Sequence, residues 1–180
     1  MCLTLYKPKG CAIDFDLFDN CFRCHPDGIG MMFPAFGIAA IDKGFKNPDA
    51  LIESYKFVRE QIGDTPAVFH FRRATAGAIN KANCHPHRIA SDLAFVHNGT
   101  IHSITTDISG GRSDTLTYRD KCLQGMTGDT LADELYLKRI SKHIGKDNAL
   151  TFMNGTGSVA FCNGERGRWQ RGVFILGTLS

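Results

Sequence analysis

The chain opens with Met1-Cys2-Leu3-Thr4-Leu5, and the cysteine at position 2 decides how the rest is interpreted. If Met1 is removed, Cys2 becomes the N-terminal residue and carries both a thiol and an α-amine. An α-amine with a pKa of about 7.7–8.0 is partly free to accept a proton near neutral pH, and a deprotonated thiol is a strong nucleophile. The alternative is that position 2 merely holds a small residue, because a lone cysteine specifies little.

Length and composition predict a single soluble domain. With 180 residues the chain is long enough to bury most of its apolar surface, and no linker divides residues 1–180. Neither a secretory signal nor an apolar run of membrane-spanning length is present in the sequence. The seven cysteines lack the dense spacing of a disulfide scaffold, which predicts reduced thiols in a cytoplasmic protein. A formal charge of +3 is too small to argue for nucleic acid.

Turn and capping signals organise the first part of the chain. Residues 29–41 are apolar and close at Asp42-Lys43-Gly44, which predicts a largely buried hairpin. Asn47 and Pro48 then predict a helix start, as N-cap and first helical residue, and Gly63 predicts its end. The buried stripe of this helix is predicted to consist of Leu51, Tyr55, Val58 and Ile62.

The later part of the chain alternates strand and helix patterns. Strands are predicted at residues 66–72, at residues 92–97 and in short pieces from residue 149 onward. Ser113 predicts the cap of a short helix ending at Cys122, and Asp129 predicts the cap of a longer helix ending at Gly145. This order of elements predicts an α+β fold in which two sheets carry helices on their outer faces.

Two adjacent arginines follow a predicted strand in the segment His70-Phe71-Arg72-Arg73-Ala74-Thr75-Ala76-Gly77. Successive strand side chains point to opposite faces, so one of the two arginines can reach inward. A buried arginine needs an anion, and its planar guanidinium suits a carboxylate. The alternative is that both arginines are solvated residues at the rim of the domain.

An apolar strand ends in Asn98-Gly99 within the segment Phe95-Val96-His97-Asn98-Gly99-Thr100-Ile101. An Asn-Gly pair is typical of a hairpin turn. The same pair can instead aim two donors, the Asn98 amide and the Gly99 N–H, at one point, because glycine permits a close approach. Two converging donors are what an oxyanion hole requires.

An acidic residue stands at a predicted helix start in Arg112-Ser113-Asp114-Thr115. Such a residue can simply interact with the helix dipole, which contributes about 0.3–1 kcal/mol. The functional interpretation is that the Asp114 carboxylate binds a substrate ammonium group.

Taken together, these segments resemble the class II glutamine amidotransferases. The order and spacing of the motifs are similar to those of that N-terminal-nucleophile family, and most similar to the glutaminase half of the glucosamine-6-phosphate synthases. The motifs concerned are Cys2, residues 70–77, Cys84-His85-Pro86-His87, residues 96–101 and Ser113-Asp114-Thr115. They cover the chain from Cys2 to about residue 120, and the remainder is similar only in its strand pattern.

The resemblance implies a four-layer αββα sandwich of two mainly antiparallel sheets. It implies thiol-dependent hydrolysis of the glutamine side-chain amide, without a cofactor or a metal. Because no synthase domain is expected within residues 1–180, the ammonia acceptor is expected on a separate synthase partner or is absent. The residues that it implies for the site are Cys2, Asn98 and Gly99 for catalysis and Arg72, Thr75, His85 and Asp114 for binding. In this scheme Arg72 binds the α-carboxylate, Asp114 binds the α-ammonium, and His85 shapes a loop beside the pocket.

Two positions depart from the family pattern. Arg73 replaces the aromatic residue that often follows the first arginine, and Ala76 replaces a histidine before Gly77. Both positions border the glutamine pocket and the route to a synthase partner in related enzymes. The departures therefore affect the identity of the acceptor more than the amide chemistry.

Other interpretations stay open at this point. The same site fits a free-standing γ-glutamyl amide hydrolase, and a retained Met1 would instead favour a silent binding or regulatory protein. Cys21, Cys24 and His25, together with the Cys84-to-His87 segment, resemble zinc ligands in spacing, although a second clean pair is missing. Buried or loop thiols explain these cysteines better, so no metal is expected.

Overall fold

The computed structural model describes residues 2–75, 77–105 and 110–178. Within them ten strands and four α-helices alternate along the chain. In order they are β1 (Leu3–Lys7), α1 (Asp16–Cys24), β2 (Ile29–Ala35), β3 (Ile38–Phe45), α2 (Pro48–Ile62), β4 (Ala67–Phe71), β5 (His87–Ala90), β6 (Leu93–Asn98), α3 (Asp114–Cys122), α4 (Glu134–Ile144), β7 (Ala149–Asn154), β8 (Val159–Cys162), β9 (Arg168–Gln170) and β10 (Val173–Leu176). Short 3₁₀ helices occupy Gly128–Ala132 and Gly164–Arg166.

The strands form two antiparallel sheets. One has six strands in the order β3-β2-β4-β1-β10-β9, and the other has four in the order β5-β6-β7-β8. Each pairing between neighbouring strands is antiparallel. The predicted α+β class with two mainly antiparallel sheets is therefore confirmed.

Hydrophobic packing arranges these sheets and helices in four layers. Helices α1 and α2 cover the outer face of the six-stranded sheet, where Phe18 and Tyr55 pack against Phe69 with ring centroids 4.9 and 5.0 Å away. Helices α3 and α4 cover the four-stranded sheet through a second apolar cluster that includes Tyr118 and Ile140. A third cluster joins the two sheets, with residues of β2, β3, β4, β6 and β7. The order αββα follows directly.

Strand alternation determines which side chains face the space between the sheets. On β4, Phe69 and Phe71 belong to the helix-covered cluster, whereas Val68 belongs to the inter-sheet cluster. On β6, Phe95 packs under the helices and Val96 faces the other sheet. Because side chains alternate, His70 on β4 and Asn98 on β6, two positions after Val68 and Val96, also face the space between the sheets.

Two predicted boundaries of elements are wrong. The hairpin turn lies at Phe36-Gly37, not at Asp42-Lys43-Gly44, because the latter segment continues β3 and pairs with β2. Phe36 and Gly37 both have positive φ values, 51° and 78°, as the tight turn between twisted strands requires.

The helix expected from Asp129 begins later. Residues Gly128–Ala132 form a 3₁₀ turn that Thr127 and Thr130 cap reciprocally, and Asp133 is the actual N-cap of α4, accepting a hydrogen bond from the Tyr136 N–H at 2.9 Å. Helix α1 is an element that the sequence patterns did not predict. Among the described residues, no helix combines the length and the apolar character needed to cross a bilayer.

Candidate active site

The candidate site lies where strands of both sheets end together. Cys2 directly precedes β1, and β1 pairs with β4 so that Leu3 is opposite Phe71. The two arginines that follow β4 therefore lie beside Cys2. A pocket at this position is lined by Cys2, Arg72, Arg73, Ala74, Thr75, His85, His97, Gly99, Ser113, Asp114 and Thr115. Six of the seven residues predicted for the site are thus brought together, and Asn98 lies just behind the lining.

Cys2 is a buried thiol, with 7% of its surface exposed. Its Sγ donates a hydrogen bond to the carbonyl oxygen of Arg73 at 3.5 Å. Burial raises the pKa of the thiol, and the Arg73 carbonyl contact and the Arg72 charge oppose that shift only in part. The thiol is therefore neutral at pH 7, and it needs a base nearby to become a nucleophile.

The two arginines point in different directions, as strand alternation predicts. Arg72 is 3% exposed, and its Nη1 donates to the carbonyl oxygen of Ala78 at 3.1 Å. Arg73 is exposed. A buried guanidinium at the edge of a pocket is a ready partner for a carboxylate group.

Asp114 supplies the negative charge of the pocket. It is the first residue of α3, and the Ser113 side chain caps this helix by accepting from the Leu116 N–H at 3.2 Å. Its Oδ2 accepts from the Ile101 N–H at 2.6 Å, which fixes the carboxylate. Asp114 is buried, with only 7% of its surface exposed. One fixed anion and one fixed cation, Asp114 and Arg72, therefore line the same small pocket.

Asn98 is oriented differently from the sequence-based expectation. Its Nδ2 donates to the carbonyl oxygens of Cys2 and Leu176, at 2.7 and 3.1 Å, so both N–H bonds are used. Its Oδ1 accepts from the Thr4 hydroxyl at 2.5 Å. The amide thus connects β6 to β1 and β10, whereas Gly99 lines the pocket itself.

Loop contacts complete the pocket wall. The Thr75 and Thr100 hydroxyl groups are 2.9 Å apart, which joins the segment after β4 to the segment after β6. Ala74 N donates to the Asp27 carboxylate at 2.8 Å, which fixes the chain just beyond the arginines. Ala76, the second departure from the family pattern, lies outside the described residues, as does Met1.

A buried cluster of histidines stands behind the pocket. His70, His85, His87 and His97 are each at most 3% exposed. The His85 ring is 4.3 Å from the His70 ring and 4.7 Å from the His87 ring, and His85 Nδ1 is 3.1 Å from His70 Nε2. Of these four, only His85 was predicted at the site, as a residue that shapes the loop, and it lies both in the lining and in this cluster.

Burial keeps these imidazoles neutral. Desolvation lowers the pKa of all four, that of His70 to about 3 and those of His85 and His87 well below the usual value. The neighbouring Lys43 ammonium, 3.3 Å from His87 Nδ1, lowers the pKa of His87 further. Burial also lowers the pKa of Lys43, to about 8.

His97 links the two sides of the pocket. Its Nδ1 is 2.8 Å from the Thr115 hydroxyl, next to Asp114, and its Nε2 is 2.8 Å from Asn148 Oδ1. Sequence reasoning missed the contribution of Asn148. The available signal was its place between a helix-ending Gly145 and a predicted strand, because asparagine side chains often bind nearby backbone groups, as Asn148 Nδ2 binds the Ile144 carbonyl oxygen at 2.7 Å.

The residues considered as zinc ligands lie in different surroundings. Cys21 is on the buried face of α1, His25 Nδ1 is 2.9 Å from the Cys21 carbonyl oxygen, and Cys84 donates to the Ile29 carbonyl oxygen at 3.4 Å. Within residues 2–75, 77–105 and 110–178, no group of three or more His, Cys, Asp or Glu side chains is placed to hold a metal ion.

Comparison with known proteins identifies a family match. A family model described as "Glutamine amidotransferases class-II" matches residues 1–166. A glutamine–fructose-6-phosphate aminotransferase (isomerizing) from Xanthomonas campestris pv. campestris is 48% identical over 44 residues, which is 24% of this chain and 7% of that protein. The corresponding enzyme from Idiomarina loihiensis is 46% identical over 42 residues, 23% of this chain and 7% of that protein. The matched segment thus spans only a small part of these curated relatives.

Solved structures give more distant similarities. Glutamine phosphoribosylpyrophosphate amidotransferase from B. subtilis, solved with ADP and GMP, superposes with a TM-score of 0.48 at 14% identity, over 97% of this chain and 41% of that chain. A glutamine aminotransferase class-II domain protein from Silicibacter pomeroyi gives a TM-score of 0.39 at 15% identity, over 86% of this chain and 73% of that chain.

Proposed function

Since this chain belongs to the class II glutamine amidotransferases, we propose that it hydrolyses a glutamine-type side-chain amide with Cys2 as the nucleophile. The observation that carries the proposal is the convergence of the Cys2 thiol, the Arg72 guanidinium and the Asp114 carboxylate on one pocket. A free amino acid bears opposite charges on its α-carbon. A fixed cation and a fixed anion therefore orient it and leave its side-chain amide at the thiol.

The proposed reaction begins with deprotonation of the buried thiol. Removal of Met1 would free the α-amine of Cys2, whose ordinary pKa of about 7.7–8.0 suits a base near neutral pH. The thiolate attacks the amide carbon, a C–S bond forms, and the carbonyl π electrons move to oxygen. We assign the Gly99 N–H to this oxyanion, because Gly99 lines the pocket.

Collapse of the tetrahedral intermediate completes the first half of the reaction. The C–N bond breaks, the leaving nitrogen takes a proton from the α-ammonium of Cys2, and a γ-glutamyl thioester remains. Water, deprotonated by the same amine, then cleaves the thioester to glutamate and regenerates the thiol. Each step uses only residues of this chain and water. A thiol in this role has to stay reduced, which favours a reducing compartment such as the cytoplasm.

The roles of the remaining predicted residues follow from their contacts. Thr75 joins two loops at the pocket, and His85 supports the lining as a neutral imidazole. Asn98 fixes the Cys2 carbonyl, and it joins Gly99 as an oxyanion donor only if its amide releases one of its two backbone partners.

Two outcomes are possible for the nitrogen that the reaction releases. Ammonia can pass to a separate synthase partner, or the site can act alone on a larger γ-glutamyl amide. We propose that residues 1–180 act as one glutaminase unit in either case. The exposed Arg73 side chain at the pocket favours the second candidate, because it offers a positive charge that free glutamine does not need.

The decisive experiment measures glutamate release after intact mass has shown that the protein begins at Cys2. Cys2→Ala should abolish release from glutamine and from γ-glutamyl amides, because no other thiol lines the pocket in the described residues. Cys11→Ala is the matched control, since Cys11 is a half-buried free thiol away from the pocket lining. Turnover near that of the wild type in a folded Cys2→Ala variant would refute the proposal.

A further inference from the structure

Arg73 has its backbone beside the nucleophile, and its cationic side chain is exposed. It lines the pocket, and its carbonyl oxygen accepts from Cys2 Sγ at 3.5 Å. The next residue, Ala74, is anchored to Asp27, so the backbone of this segment is fixed. Among the described residues no carboxylate forms an ion pair with the Arg73 guanidinium.

The charges of the lining exceed what free glutamine can neutralise. The α-carboxylate and α-ammonium of glutamine match Arg72 and Asp114, one to one. The other titratable side chains of the lining are neutral at pH 7, because burial raises the pKa of the Cys2 thiol and lowers the pKa values of His85 and His97. Apart from the α-amine of Cys2, which serves as the base, the guanidinium of Arg73 is therefore the lining charge that free glutamine leaves unmatched.

The surplus charge lies on the open side of the pocket. Arg72 is buried and Arg73 is exposed, so in the proposed binding mode the α-carbon groups lie inward while the side chain of Arg73 stays toward solvent. The amide nitrogen of a substrate has to lie at Cys2 Sγ. The proposal requires that a group attached to that nitrogen leaves the pocket toward solvent, within reach of the exposed Arg73 side chain.

We propose that the preferred substrate is a γ-glutamyl amide whose amine part carries a carboxylate, as in a γ-glutamyl amino acid or peptide. Arg73 is then the specificity-determining residue, through a charge-assisted contact with that second carboxylate. The inference rests on the proposed function. The chemistry is unchanged, except that the C–N bond releases an amino acid or peptide, protonated on nitrogen, instead of ammonia.

The test compares kcat/KM for γ-glutamylglycine with that for γ-glutamylmethylamide, which has the same amide but no second carboxylate. The wild type should prefer γ-glutamylglycine by roughly tenfold, on the scale of one hydrogen-bonded ion pair. Arg73→Gln keeps the backbone carbonyl that contacts Cys2 and should lower kcat/KM for γ-glutamylglycine about tenfold more than for the methylamide. Arg73→Lys should restore part of the preference.

Two controls separate selection from a structural effect. Arg168→Gln removes another exposed arginine, on β9, and should keep the wild-type ratio. Raising the ionic strength should shrink the wild-type preference, because salt screens exposed charges. Equal kcat/KM for the two compounds in the wild type, or an unchanged ratio in Arg73→Gln, would overturn the inference while leaving the hydrolysis intact.

A binding measurement separates this inference from the proposed function. If the wild type cleaves neither these compounds nor glutamine, the proposed function fails, and calorimetry of γ-glutamylglycine and γ-glutamylmethylamide on Cys2→Ala decides the role of Arg73. Tighter binding of γ-glutamylglycine that is lost in Cys2→Ala combined with Arg73→Gln supports selection by Arg73. Equal binding of the two compounds refutes it.

Discussion

Asn98 holds the backbone of the nucleophile through a single side-chain amide. Its two N–H groups bind the Cys2 and Leu176 carbonyl oxygens, and its Oδ1 accepts from the Thr4 hydroxyl. All three partners belong to the six-stranded sheet or to Cys2 beside it, whereas Asn98 ends β6 of the other sheet. Asn98 therefore sets how far Cys2 is from the loop that carries Gly99.

If the Asn98 amide turns from one of its backbone partners to the oxyanion, we expect Asn98→Ala to lower kcat by roughly 10²–10³, the range measured for loss of an oxyanion donor in other enzymes. The structure adds a second consequence, because the same change releases the Cys2 carbonyl. The rate at which iodoacetamide alkylates Cys2 should therefore change as well, although that reaction forms no oxyanion. An unaltered alkylation rate combined with reduced kcat would assign Asn98 to the oxyanion alone.

The end of β6 depends on a glycine for its close contact with the segment before β7. Gly99 has a φ of 128°, and a side chain there would meet the Asp147 carbonyl oxygen at 2.8 Å and also Asn148 Oδ1. Gly63, at the end of α2, has a φ of 78°, and a Cβ added there would have no other atom within 4 Å. The two glycines thus share a positive φ and differ in the space around them.

This difference makes Gly63→Ala a matched control for Gly99→Ala. Gly63→Ala should cost about 1–3 kcal/mol, because a φ of 78° with a ψ of −165° is a backbone conformation that essentially only glycine adopts. Gly99→Ala should cost more than Gly63→Ala and should also lower kcat, because the Asp147 and Asn148 contacts force the oxyanion loop to move. Urea unfolding and glutamate release measure the two effects. Equal losses of stability would contradict the packing argument.

Local signals in the sequence predicted elements whose ends are fixed by short-range contacts. Asn47 Oδ1 caps α2 by accepting from the Ala50 N–H at 2.9 Å, and Gly63 ends that helix. Strand alternation correctly predicted that Arg72 and Arg73 separate, because it depends only on backbone geometry. The turn at Phe36-Gly37 was missed because an exposed phenylalanine at φ 51° carries no turn signal.

Contacts between the two sheets could not be predicted from the sequence. Nothing in the local pattern shows that Asn98 would bind Cys2 and Leu176, which are 96 and 78 residues away along the chain. The interpretation of Asn98 as a free donor therefore rested on the motif, whereas its actual hydrogen bonds are determined by the packing of the two sheets. The prediction that Arg72 and Asp114 share one pocket likewise came from the resemblance to the family, because local signals place a strand end and a helix start without bringing them together.

At the scale of the whole molecule, four neutral histidines lie buried between the layers. His70, His85, His87 and His97 are held on strands or next to strands whose neighbours are apolar, and within the described residues His70 Nδ1 and His87 Nε2 lack a hydrogen-bond partner. Arg72 and Lys43 are nearby cations that further oppose protonation of His85 and His87, respectively. Acid therefore acts against the packing of both sheets.

The direction of the pH effect follows from proton binding. Folding lowers the pKa of these histidines, that of His70 to about 3, whereas an unfolded histidine titrates near 6.5. The unfolded chain therefore binds more protons below pH 6.5. The stabilisation is fully present above that pH and is lost as the pH falls toward the folded-state values, by up to about 1.4 kcal/mol per pH unit for each histidine.

We expect the free energy of unfolding, measured with urea, to be steady between pH 8 and 7 and to fall steeply between pH 6.5 and 5. His87→Gln should reduce the slope in that lower range by about 1.4 kcal/mol per pH unit, because one proton fewer binds on unfolding. His87 suits this test because it lies in the cluster but outside the pocket lining. The slope of the unfolding free energy against pH reports the number of protons bound on unfolding and not the absolute stability. A general loss of stability in His87→Gln would therefore leave the slope unchanged. An identical slope in the variant and the wild type would show that His87 does not contribute to acid unfolding.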